Sequence, residues 1–328
     1  MRFDILTLFP ELFTPFLSNG INRRAFESGQ VQVHFWNPRD FADGQYRRVD
    51  DRPFGGGPGM VMMVEPLARC LEAARLARAQ AQADAPGVPA PVVLFSPIGQ
   101  RLDHPQVAQW AQGAGAVLVC GRYEGIDQRF IDACVDQQIS LGDFVLSGGE
   151  IAAMALLDAV ARLQPGVLND EGSHQLDSFN PALDGLLDSP HYTRPEVWQD
   201  CAVPAALMSG HHAQIARWRR EQSLRQSALH RPELLEQAAA LIAATPPSGE
   251  FNTRVAGANF NLLNSINAYL ARYNLMAGRN AQAIAAANLV PLSSASQYVY
   301  DGSQTVNPLY NQLRVVISFI PRDNFGLP

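Results

Sequence analysis

The 328-residue chain contains no lysine, so every one of its 25 Lys/Arg residues is an arginine. That excludes a standard P-loop, whose lysine reaches the phosphates of a nucleotide. Gly-x-Gly-x-x-Gly, Gly-x-Ser-x-Gly and His-Glu-x-x-His are also missing, which leaves a typical dinucleotide site, a serine-hydrolase elbow and a zincin site unsupported. The four cysteines (Cys70, Cys120, Cys134, Cys201) are scattered, with no Cys-x-x-Cys and no paired histidine spacing. They imply neither a zinc site nor a disulfide framework and read as buried thiols. No apolar run approaches the roughly 20 residues that span a bilayer. Met1-Arg2-Phe3-Asp4 lacks the apolar core of a secretory signal, so a cytoplasmic protein without membrane association is expected.

With 47% hydrophobic and 17% charged residues, the chain reads as globular and long enough for two or three domains. The net charge of −6 argues against general nucleic-acid binding by the whole surface, but the arginines cluster. One group is Arg23, Arg24, Arg39, Arg47, Arg48 and Arg52; another is Arg217, Arg219, Arg220, Arg225 and Arg231. Guanidinium groups suit bidentate phosphate contacts and stacking better than ammonium groups do. A solvated helix face accounts for the second group equally well.

The run Asp50-Asp51-Arg52-Pro53-Phe54-Gly55-Gly56-Gly57-Pro58-Gly59-Met60 is the densest in glycine and proline. Glycine costs roughly 0.5–1 kcal/mol in a regular element, so the cluster is expected to serve close approach of a ligand, or to be a long surface loop. Three further glycine-bearing turns stand out: Ser96-Pro97-Ile98-Gly99-Gln100, Gly121-Arg122-Tyr123-Glu124-Gly125-Ile126-Asp127, and residues 140–150.

Up to about residue 163, short β-rich runs (3–8, 31–36, 91–95, 116–120, 138–141) alternate with helical patterns (66–80, 104–112, 126–132, 150–163). This predicts an α/β domain with a parallel sheet. Residues 81–91 read as a loop. The three turns would then lie beyond the carboxyl ends of strands, where α/β sheets bind ligands. Backbone-rich loops at such a place suit an adenine edge and a ribose. Residues 164–180 read as a mobile linker and 181–248 as a small helical domain with helices at 213–221 and 232–244. Residues 249–328 differ in texture, joined through Thr245-Pro246-Pro247-Ser248-Gly249, and are left unassigned: an appended domain, a fusion or a frame change. Within them 259–273 reads as a helix with Phe260, Leu263, Ile266 and Leu270 on one face, and 311–320 alternates like a strand.

Four runs together resemble the bacterial tRNA (guanine-37 N1)-methyltransferases of the knotted SPOUT class. They are the glycine-rich run, Gly121–Asp127, Gly142-Asp143-Phe144-Val145-Leu146-Ser147-Gly148-Gly149-Glu150, and Ser189-Pro190-His191-Tyr192-Thr193-Arg194-Pro195, in order along residues 1–241. The resemblance implies a trefoil-knotted parallel-sheet domain, methyl transfer from S-adenosylmethionine to guanine N1 in tRNA, and a homodimer with its active site at the subunit interface. A non-catalytic RNA-binding scaffold is the alternative. Carried over by position, Phe95, Ser96, Pro97 and Gly99 would contact the cofactor. So would Gly121, Tyr123 and Glu124, and Ser140, Leu141, Gly142, Asp143, Phe144, Val145, Leu146, Gly148 and Gly149. Asp177 would be the catalytic carboxylate with Arg162 as its partner. Arg47, Arg48, Asp50, Arg52, Gly57, His212 and Arg219 would meet tRNA. Glu124 reads equally as a ligand for Mg2+ or as a loop carboxylate. Two departures from the family pattern, Leu94 for an aromatic residue and Ala152 for proline, fall in the expected cofactor wall. From their positions alone, Asp177 reads as a helix cap and Arg162 as a charge complementing a helix C-terminus.

Overall fold

The computed structural model describes residues 1–81, 89–169, 174–244, 262–276 and 279–291. Most of the expected 81–91 loop, the 245–251 junction, Phe260 and the strand-like stretch 311–320 lie outside them. The chain divides into two compact units, Met1–His174 and Gln175–Pro328. The boundary falls inside the segment read from sequence as a linker.

The first unit is built on five parallel strands in the order β2-β1-β6-β5-β7: β1 (Arg2–Leu6), β2 (Gln32–Trp36), β5 (Val92–Arg101), β6 (Val117–Val119) and β7 (Gln137–Ser140). Both faces of the sheet are covered, which is why its strands read as nearly continuous apolar runs. Alternate residues feed two separate cores. Phe3, Ile5, Val93 and Leu118 point to the side of α6 (Glu150–Ala161), where Leu156, Leu157 and Val160 meet them together with residues of α1 (Thr14–Ser18), α2 (Arg23–Glu27) and α4 (His104–Gln112). Leu6, Val92, Leu94, Val117 and Val119 point to the opposite side, against Leu67, Cys70, Leu71 and Ala74 of α3 (Val64–Ala81) and Phe130 of α5 (Gln128–Cys134).

On that second side β1 carries a carboxylate. Asp4 is fully buried, accepting from Arg2 at 2.7 Å, from Arg78 of α3 at 2.9 Å and from the indole of Trp36 at 2.9 Å. Burial alone would raise its pKa, but the hydrogen bonds from Arg2, Trp36 and Arg78 outweigh that and hold it below 3.8. A charge buried inside a domain needs this degree of pairing.

The helix expected at 213–221 runs on to His230, and two readings within the first unit also differ from the structure. Residues Ser96–Gln100, expected as a turn, are the second half of β5: pairing runs Phe95↔Ile139, slips, and resumes Gln100↔Ile139 and Arg101↔Ser140. Gly99 makes this possible, since a Cβ there would lie 2.5 Å from the Ile139 nitrogen. Helix α5 starts two residues later than its apolar pattern suggested because Ile126 belongs to the core and the Asp127 side chain caps the helix, accepting from Arg129 N at 3.0 Å.

The glycine-rich run closes a short hairpin between β3 (Asp50–Asp51) and β4 (Val61–Met62). Gly55, Gly56 and Gly57 have φ of 87°, 79° and 120°, and nothing among the described residues lies within 4 Å of where their Cβ atoms would be. The glycines there are required by left-handed backbone, not by close packing within the chain.

The second unit is helical. A two-stranded hairpin, β8 (Val197–Trp198) with β9 (Cys201–Ala202), precedes α7 (Ala205–Met208), α8 (His212–His230) and α9 (Pro232–Ala244). Two further helices follow from the stretch left unassigned by sequence: α10 (Leu262–Met276) and α11 (Asn280–Asn288). Their Ile266, Leu270 and Ala286 share one core with Leu186 and Ala228. The cysteines divide: Cys70 and Cys120 are buried as expected, whereas Cys134 is half-buried and Cys201 exposed.

Candidate active site

The ends of β5, β6 and β7 bring three segments together on the carboxyl side of the sheet. After β6 the chain passes through Cys120 into Gly121; after β7 it turns at Gly142 and re-enters helix at Gly149, the N-cap of α6. The Gly149 amide donates to the Gly121 carbonyl at 3.0 Å, locking the second segment to the third. A Cβ on Gly149 would sit 2.7 Å from the Cα of Cys120, so only glycine allows this approach. Gly142 has φ of 152° and faces the Phe144 ring, and the Ser140 hydroxyl bridges the amide and carbonyl of Gly142 at 3.2 Å each. Glycines and fixed main-chain groups line this place, and they fit the adenosine end of a cofactor that is read through backbone N–H and C=O groups.

The position of each expected cofactor residue follows. Phe95, Ser96 and Gly99 are half-buried along the irregular stretch of β5, with Pro97 exposed. Tyr123 and Glu124 are exposed on the middle segment, and Asp143, Phe144 and Val145 are exposed on the third, with Leu141, Leu146 and Gly148 partly covered. Asp143 pairs with Arg101 at 3.0 Å, which ties the first segment to the third. Leu94 and Ala152, the two departures from the family pattern, are both buried. Leu94 belongs to the core on the α3 side.

One constellation was not assigned from sequence. Arg122 reaches back to Glu150, with Nη2 2.9 Å from Oε2 and Nε 3.2 Å from Oε1, and it also donates to the Ser147 carbonyl at 3.3 Å. Thr7, just past β1, donates to Glu150 Oε1 at 2.8 Å, and the Phe9 ring lies 4.6 Å under the guanidinium. Glu150 is 1% exposed, and with Thr7 and Arg122 it joins the segments after β1 and β6 to the start of α6. Cys120 lies beside it. Burial, then the Glu150 charge, push its thiol well above 9.0, with Arg122 opposing. Nothing in the spacing of Thr7, Arg122 and Glu150 announces their meeting; the only sequence signal was that Arg122 and Glu150 flank glycines in two of the singled-out runs.

The glycine-rich hairpin joins the same neighbourhood. Met62 N donates to Gly125 O and Glu124 N to Met60 O, both at 2.9 Å, and the Glu124 side chain lies across Gly59. The Tyr123 phenol sits between Asp50 and Arg39, 3.5 Å from Arg39 Nη2. Burial and the Asp50 charge raise its pKa, against the opposing pull of Arg39, so it stays protonated at neutral pH. Arg47 pairs with Asp40 at 3.1 Å and Arg48 with Asp51 at 3.6 Å, all exposed; Arg52 and Gly57 are exposed too. Such pairs are worth about 0–1 kcal/mol and yield readily to a phosphate. In the first arginine group, Arg23 pairs with Glu27 and Arg24 donates to Asn169.

Arg162 is the C-cap residue of α6 and half-buried. In the second unit, Asp177 directly follows a helical turn, His174–Leu176, and its carbonyl accepts from Asn180 N at 3.2 Å. Asn180, not Asp177, caps the next turn, Pro181–Leu183. His212 begins α8, and Arg219 lies exposed along it. Arg220 of the same helix pairs with Asp184. Among the described residues no three His, Cys, Asp or Glu side chains gather as metal ligands, and Glu124 is exposed.

No helix among the described residues is long and apolar enough to cross a membrane. A family model described as tRNA (Guanine-1)-methyltransferase TrmD matches residues 1–237. A tRNA (guanine-N(1)-)-methyltransferase of Paracidovorax citrulli is 74% identical over 238 residues, covering 73% of this chain and 92% of that protein. One of a Polaromonas species is 70% identical over 241 residues, covering 73% and 91%. One of Bordetella pertussis is 59% identical over 238 residues, covering 73% and 91%. The main-chain cradle at the strand ends and this match, which takes in every segment that builds it, lead to one conclusion: the chain belongs to the TrmD family of tRNA (guanine-1)-methyltransferases.

Proposed function

We propose that the protein transfers a methyl group from S-adenosylmethionine to N1 of guanine 37 in tRNA, next to the anticodon, in the cytoplasm and as a homodimer. The observation that carries this reading is the family match over residues 1–237, within which Gly149 is seated on Cys120. The bound cofactor supplies an electrophilic methyl group. Phe95 to Gly99, Gly121 to Glu124 and Ser140 to Gly149 would hold it, mainly through main-chain groups, while Arg122 and Glu150 keep the segments in place.

Guanine N1 carries a proton and is a weak nucleophile at neutral pH, so a carboxylate at hydrogen-bond distance has to accept that proton. Asp177 takes this role. As the proton leaves, negative charge grows on O6, and the Arg162 guanidinium stabilises it; one such positioned donor is commonly worth about 2.7–4 kcal/mol. Asp177 of one copy serves the cofactor loops of the other, and exposed apolar side chains on those loops, Ile98 and Val145, support a dimer face there. The hydrogen bond from the Gly149 amide to the Gly121 carbonyl joins two segments that would thread together in the trefoil knot of the SPOUT class. Arg47, Arg48, Arg52, His212 and Arg219 contact phosphates of the tRNA.

Methyl incorporation into a tRNA transcript with G at position 37 tests the reading, with the same transcript carrying A37 as control. Incorporation into the first alone is expected. Cofactor and tRNA binding without incorporation would instead favour the scaffold alternative.

A further inference from the structure

We infer that the two helices beyond the family match, α10 and α11, form an integral layer of the helical unit and hold α8 in the arrangement in which it presents its arginines. Among the described residues the buried members of this unit's shared core are Leu186, Ala228, Ile266, Leu270 and Ala286, and the last three come from beyond residue 237, where the family match ends. The aligned stretch already accounts for 92% of the Paracidovorax citrulli protein but only 73% of this chain.

The reason lies in the composition of α8. Its covered face offers Ser223, Ser227 and Ala228 with only Leu224 as a large apolar neighbour. The two serines are spent on the loop before it: Leu187 N donates to Ser227 Oγ at 2.8 Å, and Ser223 Oγ donates to the Leu187 carbonyl. Small residues and hydroxyls bury little apolar area, so this face gains stability from what lies on it. Ile266 and Leu270, one turn apart on α10, are 5% and 4% exposed there, with Leu263 and Ala271 beside them. Leu275 is 57% exposed, so α10 has a covered side and an open one. Arg219 and Arg225 on α8 remain exposed. The layer therefore supports α8 without masking those arginines. The docking itself stands on these contacts; the presentation of arginines rests on the tRNA-binding role proposed above.

Hydrogen exchange on the full chain tests the layer. In Ile266→Asp/Leu270→Asp, and more mildly in Leu270→Ala, amides of α8 should exchange at least about tenfold faster, because local opening becomes easier. Amides of β1 and β6 should keep their rates, and Leu275→Asp should change neither set. Unchanged α8 exchange in both core variants would overturn the layer. The affinity for a G37 tRNA transcript should fall at least about fivefold in the variants whose α8 opens, an effect of the usual size for lost preorganisation. Faster α8 exchange with unchanged tRNA affinity would leave the layer standing and overturn the presentation role.

Discussion

The two units of the chain handle charge in opposite ways. In the first, Asp4 and Glu150 are buried and each is held by arginine: Asp4 by Arg2 and Arg78, Glu150 by Arg122. In the second, the pairs of Arg220 with Asp184 and of Arg231 with Glu233 lie at the surface, and the shared core among the described residues holds Leu186, Ala228, Ile266, Leu270 and Ala286. Buried pairs fix the positions of strands and loops, because breaking one leaves a bare charge in a poor solvent. Surface arginines keep their freedom to exchange a carboxylate for a phosphate. Buried pairs thus hold the first unit's geometry, while exposed pairs in both units, Arg47 with Asp40 in the first and Arg220 with Asp184 in the second, can rearrange.

The most damaging way to probe this division is through the base. If Asp177 is the base proposed above, Asp177→Ala should lower methyl transfer by about 10²–10⁴-fold while calorimetric binding of S-adenosylmethionine stays within error, because that role acts on guanine and not on the cofactor. A large loss of cofactor affinity in the folded variant would contradict the role.

Asp4→Asn should destabilise the first unit by about 3–5 kcal/mol at neutral pH, the usual cost of leaving buried partners unpaired. The wild-type contribution has a definite sign: a carboxyl held below 3.8 when folded stabilises above that pH and loses the effect as pH falls through the folded value. Urea midpoints followed from about pH 7 down to 2 should therefore fall less steeply for the variant than for the wild type.

Gly149→Val places a side chain against the Cys120 backbone and should cost about 1–3 kcal/mol of stability, with cofactor affinity lost before tRNA affinity. Equilibrium binding of each ligand to the variant reads that order. Smaller still, removal of Arg47, Arg48 or Arg52 should each flatten the salt dependence of tRNA binding by about 0.7–0.9 in log–log slope, leaving the cofactor titration unaltered. At the low end, Cys201 should be alkylated in the native protein at pH 8, while Cys70, pushed by burial to about 12, and Cys120 should react only on unfolding. Mass spectrometry after a timed iodoacetamide pulse distinguishes them.

The legible parts of this protein were those governed by local pattern. Phe3, Ile5, Val92 and Val93 lie in runs that announce buried parallel strands, and every central strand was found within a few residues of its expected place except the far half of β5. That half was missed because Gly99 looks like a turn residue; its real service is to let the chain lie on Ile139. In the glycine-rich run, Gly55 to Gly57 adopt positive φ, a backbone need that the sequence reading did not single out.

The sequence by itself determined the α/β alternation, the family and the segments that make the candidate site, because strand periodicity and glycine-rich motifs are properties of neighbouring residues. Only the tertiary structure decided that Thr7, Arg122 and Glu150 brace those segments, that Arg78 closes on Asp4 across 74 positions, and that Ile266 and Leu270 complete the core under α8. These are contacts between elements far apart along the chain. No local period encodes them; they arise when a buried charge or an uncovered apolar face has to find a partner.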